Sequence, residues 1–128
     1  MITSTSNERV KAARKLRFKR QREEAGLLLV EGVRLIDDAW QSGVRPVELF
    51  FLPEAAQQNP AVAALVRKLD VPAGFCQPVT REVMATLTET VTPQGVVAVL
   101  PQPPLALPGK LTLTLVLDQL REPGNTGT

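Results

Sequence analysis

Apolar positions along the chain alternate between two spacings, one that suits helices and one that suits strands. After Thr5-x-x-Glu8, which has the spacing of a helix capping box, Val10, Ala13 and Leu16 recur on one side of a helix while Lys11, Arg14 and Lys15 fall on the other. Leu27-Leu28-Leu29-Val30, closed by Glu31-Gly32, reads as a buried strand, and Val33, Ile36, Ala39 and Trp40 return to helical spacing up to Gly43. Val47 to Leu52, closed by Pro53, is a second strand. Asn59-Pro60 then opens a helix with Val62, Leu65, Val66 and Leu69 inward. Gly74 to Gln77 is a short third strand, Thr80 caps a helix carrying Val83, Met84 and Leu87, and Gly95 to Leu100 is a fourth strand. Strands alternating with helices at this pitch predict an α/β fold, with a mostly parallel sheet covered on both faces.

The pattern changes at Pro101. Four of the eight residues from Pro101 to Pro108 are proline, which removes backbone donors and favours a stiff, extended connection. Residues 101–109 are therefore the expected linker between a first domain, 1–100, and whatever 110–128 begins. Leu111 to Leu117 is the most strand-like run in the chain and opens into the turn-rich stretch Arg121 to Thr128. A buried-type strand followed by a Gly-rich turn normally feeds a helix. The expectation is thus that 110–128 is the truncated start of a second domain.

Composition removes several classes of chemistry. The 128 residues contain no His and one Cys, Cys76, so Ser-His-Asp or Cys-His catalysis, a His-ligated metal, a thiolate zinc cage and an internal disulfide are all excluded. No metal site is expected. The single Cys and an N-terminus without a basic-then-apolar signal fit a reduced, cytoplasmic setting. The longest uncharged stretch, Thr90 to Gly109, carries five prolines and cannot cross a bilayer as a helix. Cys76, in a short apolar strand, reads as a small buried hydrophobe.

The formal net charge is +2, but its distribution is uneven. Residues 1–24 hold eight bases against three acids, a net +5, whereas residues 25–128 hold seven bases against ten acids, a net −3. Such asymmetry points to a polyanionic partner. Lys11, Arg14, Lys15, Lys19, Arg20 and Arg22 are the candidate phosphate contacts, since basic side chains bind nucleic acid by neutralising phosphates and releasing counterions. The competing reading is a solvated helix face. For Phe18, inside Arg17-Phe18-Lys19-Arg20, core packing is the expected role rather than base stacking.

Two turns carry further chemistry. Glu31-Gly32-x-Arg34 lies at a strand-to-helix junction, where the carboxylate can accept amide hydrogen bonds and hold Arg34 while glycine permits the turn. A structural turn is favoured over catalysis, because a lone Glu has no partner base or metal. Pro123-Gly124-Asn125-Thr126-Gly127 could let backbone amides approach a phosphate or cofactor, but it lacks the Lys-Ser/Thr of a Walker A loop.

Taken together, several segments resemble the SpoU/TrmH family of RNA ribose methyltransferases in the knotted SPOUT superfamily. They are Ile2-Thr3-Ser4 with Asn7, Val10-Lys11, Lys15-Leu16, Arg22, Gly26, Val30-Glu31-Gly32 with Arg34, Thr92-Pro93-Gln94-Gly95, and Asp118 with Glu122-Pro123-Gly124-Asn125-Thr126-Gly127. The resemblance implies that residues 1–100 form a small three-layer α/β/α sandwich similar to ribosomal RNA-binding proteins, serving to bind substrate. It implies that 110–128 begin the methyltransferase domain, with Asn125 at the family's catalytic-motif asparagine. Glu31, Gly32 and Gly95 would then be structural turn positions.

Family members transfer a methyl group from S-adenosylmethionine to a ribose 2′-hydroxyl, usually as homodimers formed through the catalytic domain. A 2′-hydroxyl needs a positioned base or charge stabilisation, and the methyl donor must be held within about 3–3.5 Å. Half of one motif supplies neither. The expectation is a chain that binds RNA, ribosomal RNA by analogy, and is inactive alone, with Arg34 adding a contact near the Glu31 turn. The alternative is a free-standing, non-enzymatic RNA-binding protein of the same fold.

Overall fold

The computed structural model describes residues 1–104, 109–110, 113–116 and 118. Ten elements follow in order: α1 (Glu8–Lys15), α2 (Lys19–Ala25), β1 (Leu27–Glu31), α3 (Val33–Gln41), β2 (Glu48–Phe51), α4 (Pro53–Gln58), α5 (Pro60–Lys68), β3 (Cys76–Pro78), α6 (Arg81–Leu87) and β4 (Val96–Pro101). The four strands form one sheet in the order β1-β4-β2-β3. β4 lies antiparallel to both β1 and β2, and only β2 and β3 run parallel. The expected mostly parallel sheet is thus a mixed one. Periodicity marks which residues are strand, but pairing direction depends on where the last strand inserts, and β4 inserts between β1 and β2.

β1, β2 and β4 follow a period of two, and the sheet separates two apolar layers. On one side Val97 and Val99 of β4 and Phe50 of β2 pack with Val10, Ala13 and Leu16 of α1 and with Val83, Met84 and Leu87 of α6. On the other, Val96, Ala98, Leu100 and Leu49 pack with Ile36 of α3 and Val62 and Leu65 of α5. β1 divides likewise, with Leu27 and Leu29 toward the first layer and Leu28 and Val30 toward the second. The result is the α/β/α sandwich, and β4, its centre, is buried on both faces. That explains its unbroken apolar run.

Local signals were partly displaced. Asn7, not Thr5, caps α1, its Oδ1 accepting from the Arg9 amide at 3.0 Å. The preceding residues are drawn away because Ile2 bridges Val79 beside β3, with its amide donating to the Pro78 carbonyl at 2.8 Å. Asn59 and Thr80 cap α5 and α6 as their positions predict. Pro53 does more than close a strand, since it is the first residue of α4, an element that the apolar pattern does not reveal. The third strand starts two residues later than expected, at Cys76, whose half-buried thiol is pushed up in pKa by burial.

The basic segment 9–22 is broken at Leu16 to Phe18 into α1 and α2. Phe18 sits at the break and is 67% exposed, so it does not join the core. The physical reason is the turn itself, which places Phe18 at the N-cap of α2 after Leu16 has filled the inward position. Of the strand expected over 111–117, residues 111–112 and 117 lie outside the described residues. Leu113, Leu115 and Val116, which are described, are exposed.

Candidate nucleic-acid interface

α1 buries Val10 and Ala13 against the sheet, so its cations are forced outward. Most of them are already engaged. Lys11 pairs with Glu8 at 2.8 Å and holds that carboxyl below its ordinary range, and on α2 Lys19 pairs with Glu23 at 3.7 Å and Arg20 with Glu24 at 2.7 Å. These are exposed i,i+3 and i,i+4 pairs, weakened by solvent and open to exchange with phosphate.

Arg17 and Arg22 play a different part. The Arg17 guanidinium donates to the carbonyls of Thr86 and Thr88, both at 2.8 Å, and so ties the end of α1 to the end of α6. Arg22 donates to the carbonyls of Leu16 and Arg17 at 3.1 and 2.7 Å, satisfying the chain where α1 stops. Arg9 faces Glu48 and stacks on the Phe75 ring at 4.1 Å. Among the described residues, the side chains of Arg14 and Lys15 have neither an ion-pair nor a hydrogen-bond partner, although their backbone carbonyls accept from Arg17 and Phe18. The eight bases of residues 1–24 therefore reduce to two free ones and three exposed ones in weak pairs.

A groove of about 210 Å³ runs between α1 and α2 and is lined by Lys11, Lys15, Gln21 and the carboxylate-bearing Glu8. Nearby, a cleft of about 410 Å³ holds Arg17, Arg22, Glu89 and Glu31, which links the helical pair to the end of β1. A further cleft of about 410 Å³ then brings Glu31, Gly32 and Leu35 against Thr90, Thr92 and Gln94. The two turn motifs, remote in sequence, are thus one place. Gln94 Oε1 accepts from the Val33 amide at 3.0 Å, the role assigned above to Glu31, while Glu31 Oε1 accepts from the Thr90 hydroxyl at 2.6 Å. Glu31 does not hold Arg34, which is 93% exposed on α3 with its Nε 4.0 Å from Asp38 one turn on. Arg34 also belongs to the layer opposite α1, so it is not part of the α1–α2 cation row.

Both glycines of this junction have left-handed backbones, φ +95 at Gly32 and φ +80 at Gly95. A Cβ on Gly95 would collide with that of Ala55 at the start of α4, and one on Gly32 would meet Gln94 Oε1 at 3.2 Å. Sequence reasoning named the glycines but missed Gln94, Thr90 and Arg17 as the groups that make the contacts. The Gln of Thr92-Pro93-Gln94-Gly95 was the signal for the first. Asn125 and the stretch Glu122 to Gly127 lie outside the described residues.

Comparison with known proteins agrees with this geometry. The family model described as MRM3-like substrate binding domain matches residues 7–98, which takes in all ten elements but the end of β4. The uncharacterized tRNA/rRNA methyltransferase slr1673 of Synechocystis is 36% identical over 129 residues, 99% of this chain and 46% of that protein. The 23S rRNA (guanosine(2553)-2′-O)-methyltransferase of Bacillus subtilis is 30% identical over 130 residues, 99% of this chain and 47% of that protein. The chain thus spans about half the length of these relatives. Among solved structures, an RNA 2′-O ribose methyltransferase superposes with a TM-score of 0.78 at 26% identity, covering 98% of this chain and 48% of that one. The SpoU methyltransferase AviRb of Streptomyces viridochromogenes, solved with AdoMet, gives 0.68 at 26% identity over 79% of this chain and 37% of that one. The sandwich, its order of motifs and these matches place the chain in the MRM3-like substrate-binding domain family of SpoU/TrmH rRNA methyltransferases.

Proposed function

We propose that this chain is the RNA-recruiting part of an S-adenosylmethionine-dependent ribose 2′-O-methyltransferase that acts on ribosomal RNA. The observation that carries this reading is the pair of unpartnered cations, Arg14 and Lys15, on a helix whose other face is buried in the core. Lys11, Lys19 and Arg20 flank them in pairs that phosphate can displace. Arg17 and Arg22, spent on carbonyls, hold the surface in shape. Arg34, with Leu35 and the fully exposed Val91 beside the Glu31 cleft, offers a second contact on the far side of the sheet.

Methyl transfer belongs to the remainder of the protein. S-adenosylmethionine supplies the methyl group, and Asn125 would contribute to the site for that chemistry together with residues beyond this chain. Among the described residues nothing is assigned to a catalytic step, and we assign the homodimer to the catalytic part as well. The coverage of the two methyltransferase relatives supports this over the free-standing alternative, since each extends well past the matched region.

The test is fluorescence-anisotropy titration of the chain with a structured ribosomal RNA segment and a matched duplex DNA at two salt concentrations. Contact with about four to six phosphates gives a log–log salt slope of roughly −3 to −5. RNA preference with that slope, abolished by combining Arg14→Glu and Lys15→Glu, is expected. Equal weak binding to both nucleic acids would refute the proposal.

A further inference from the structure

The corner between α1 and α2 leaves one aromatic ring in solvent. Phe18, the N-cap of α2, is 67% exposed, yet its backbone is held from both sides, its amide donating to the Lys15 carbonyl and its carbonyl accepting from the Arg22 amide, each at 3.1 Å. Leu16 takes the core position two residues earlier, and the Arg22 guanidinium ties down the Leu16 and Arg17 carbonyls, so the corner is anchored without the ring. Phe18 belongs to neither apolar layer. Among the described residues two other rings carry a stacked guanidinium, Arg9 on Phe75 at 4.1 Å and Arg45 on Trp40 at 3.8 Å, whereas none covers Phe18.

The charge carried by this corner is of one sign. From Arg14 to Arg22 the chain holds six bases and no acid. Carboxylates stand at its margins, where Glu23 and Glu24 pair with Lys19 and Arg20, Glu8 pairs with Lys11, and Glu89 lies 3.8 Å from Arg17. All four are exposed and leave the Arg14 and Lys15 side chains, about one turn before the ring, without a partner. A bare ring among cations suits a ligand that has both a flat π-face and phosphates. An apolar protein surface would cover the ring only by stripping water from cations that it cannot pair. An unpaired nucleotide meets both demands, its base on the ring and its phosphates on the lysines. A base inside a duplex has no free face to offer.

We propose that Phe18 is a stacking platform for one unpaired base of the bound RNA, with the phosphates on either side of that base on Lys15 and Lys19. The proposal rests on the RNA-binding reading above and adds to it a requirement for an unpaired nucleotide, of any base, because every base has a π-face.

Fluorescence anisotropy of the full chain with end-labelled oligouridine of about twelve nucleotides, and with an RNA duplex of the same length, tests it. Phe18→Ala is expected to weaken oligouridine binding on the order of ten-fold, while the salt slope, set by phosphate contacts, and the duplex affinity stay unchanged. The melting temperature should hold too, since the ring lies outside the core. Phe18→Leu should behave as Phe18→Ala does and Phe18→Trp as the wild type, which separates stacking from apolar contact. Emission of the Phe18→Trp chain, beyond that of the single native Trp40, should be quenched as oligouridine saturates it. Full binding by Phe18→Leu, an equal loss on the duplex, or unquenched emission would overturn the platform. So would unaltered affinity in Phe18→Ala, and if sedimentation then showed self-association lost, the ring would be a contact between copies of this chain. If Arg14→Glu with Lys15→Glu abolishes binding while Phe18→Ala leaves it intact, recruitment of RNA stands and the platform alone falls. If the wild type binds neither RNA, both fall together.

Discussion

The side-chain oxygen of Gln94 accepts a hydrogen bond from the backbone amide of Val33, 3.0 Å away and 61 positions earlier in the chain. That bond satisfies one of the free donors at the start of α3, where Gly32 has no side chain to do so. It also locks the β1–α3 turn to the loop that enters β4. Gln94→Ala is therefore expected to lower stability by about 1 kcal/mol through loss of the cap, measured by urea denaturation, with RNA affinity reduced less than by the α1 charge reversals. An unchanged midpoint would show that the amide finds water equally well.

Gly95→Ala should be far more damaging. The φ of +80 strains any side chain, and the new methyl group meets Ala55, which sits in the first turn of α4 and cannot yield without moving the helix. A loss of about 2–4 kcal/mol is expected, or a fall in Tm on the order of 10 °C or more. Gly26→Ala, with φ +63 but open space around its Cβ, should cost only the backbone strain, about 1 kcal/mol.

Arg17 separates a structural cation from a binding one. Removing its guanidinium leaves the carbonyls of Thr86 and Thr88 without their donor, and Thr88 is among the buried polar residues. Arg17→Ala is expected to destabilise the domain by about 1.5–3 kcal/mol. Arg14→Ala should leave stability within about 0.5 kcal/mol and flatten the salt dependence of RNA binding by a slope of roughly 1. Equal effects of the two variants on melting would contradict the division.

Glu48 makes stability depend on pH. Its carboxyl is raised above the ordinary value of 4.5 in the folded chain, mainly by burial. The folded state thus holds the proton more tightly than the unfolded one, and the gain is complete below 4.5 and lost as pH rises through the raised value. Wild type should therefore gain stability relative to Glu48→Gln as the pH is lowered from neutral to about 5. Thermal melts of both proteins across that range check the sign, and a parallel dependence would show that Glu48 is not the titrating group.

Removing residues 105–128 should raise solubility and leave RNA affinity unchanged. The exposed Leu113, Leu115 and Val116 contribute no packing to the sandwich and present apolar surface for association. Loss of RNA binding in the shortened chain would move the boundary of the recruiting domain past the proline-rich stretch.

What the sequence determined by itself is local. The spacing of Val10, Ala13 and Leu16 sets which face of α1 goes inward, the unbroken run Val96 to Leu100 marks a strand covered on both sides, and Asn59 and Thr80 start their helices because short polar side chains satisfy free amides wherever they occur. The charge imbalance at the N-terminus and the ordered motifs were likewise legible. Tertiary structure decided the rest. That β4 runs antiparallel between β1 and β2, that Phe18 is left outside once Leu16 fills the core, that Gln94 rather than Glu31 serves the α3 amides, and that Arg17 and Arg22 are consumed on carbonyls while Arg14 and Lys15 remain free all depend on groups far apart in the chain. A periodicity reports how one segment meets water or core. Which partner a charged or polar group finds there is settled only when distant segments compete for the same place.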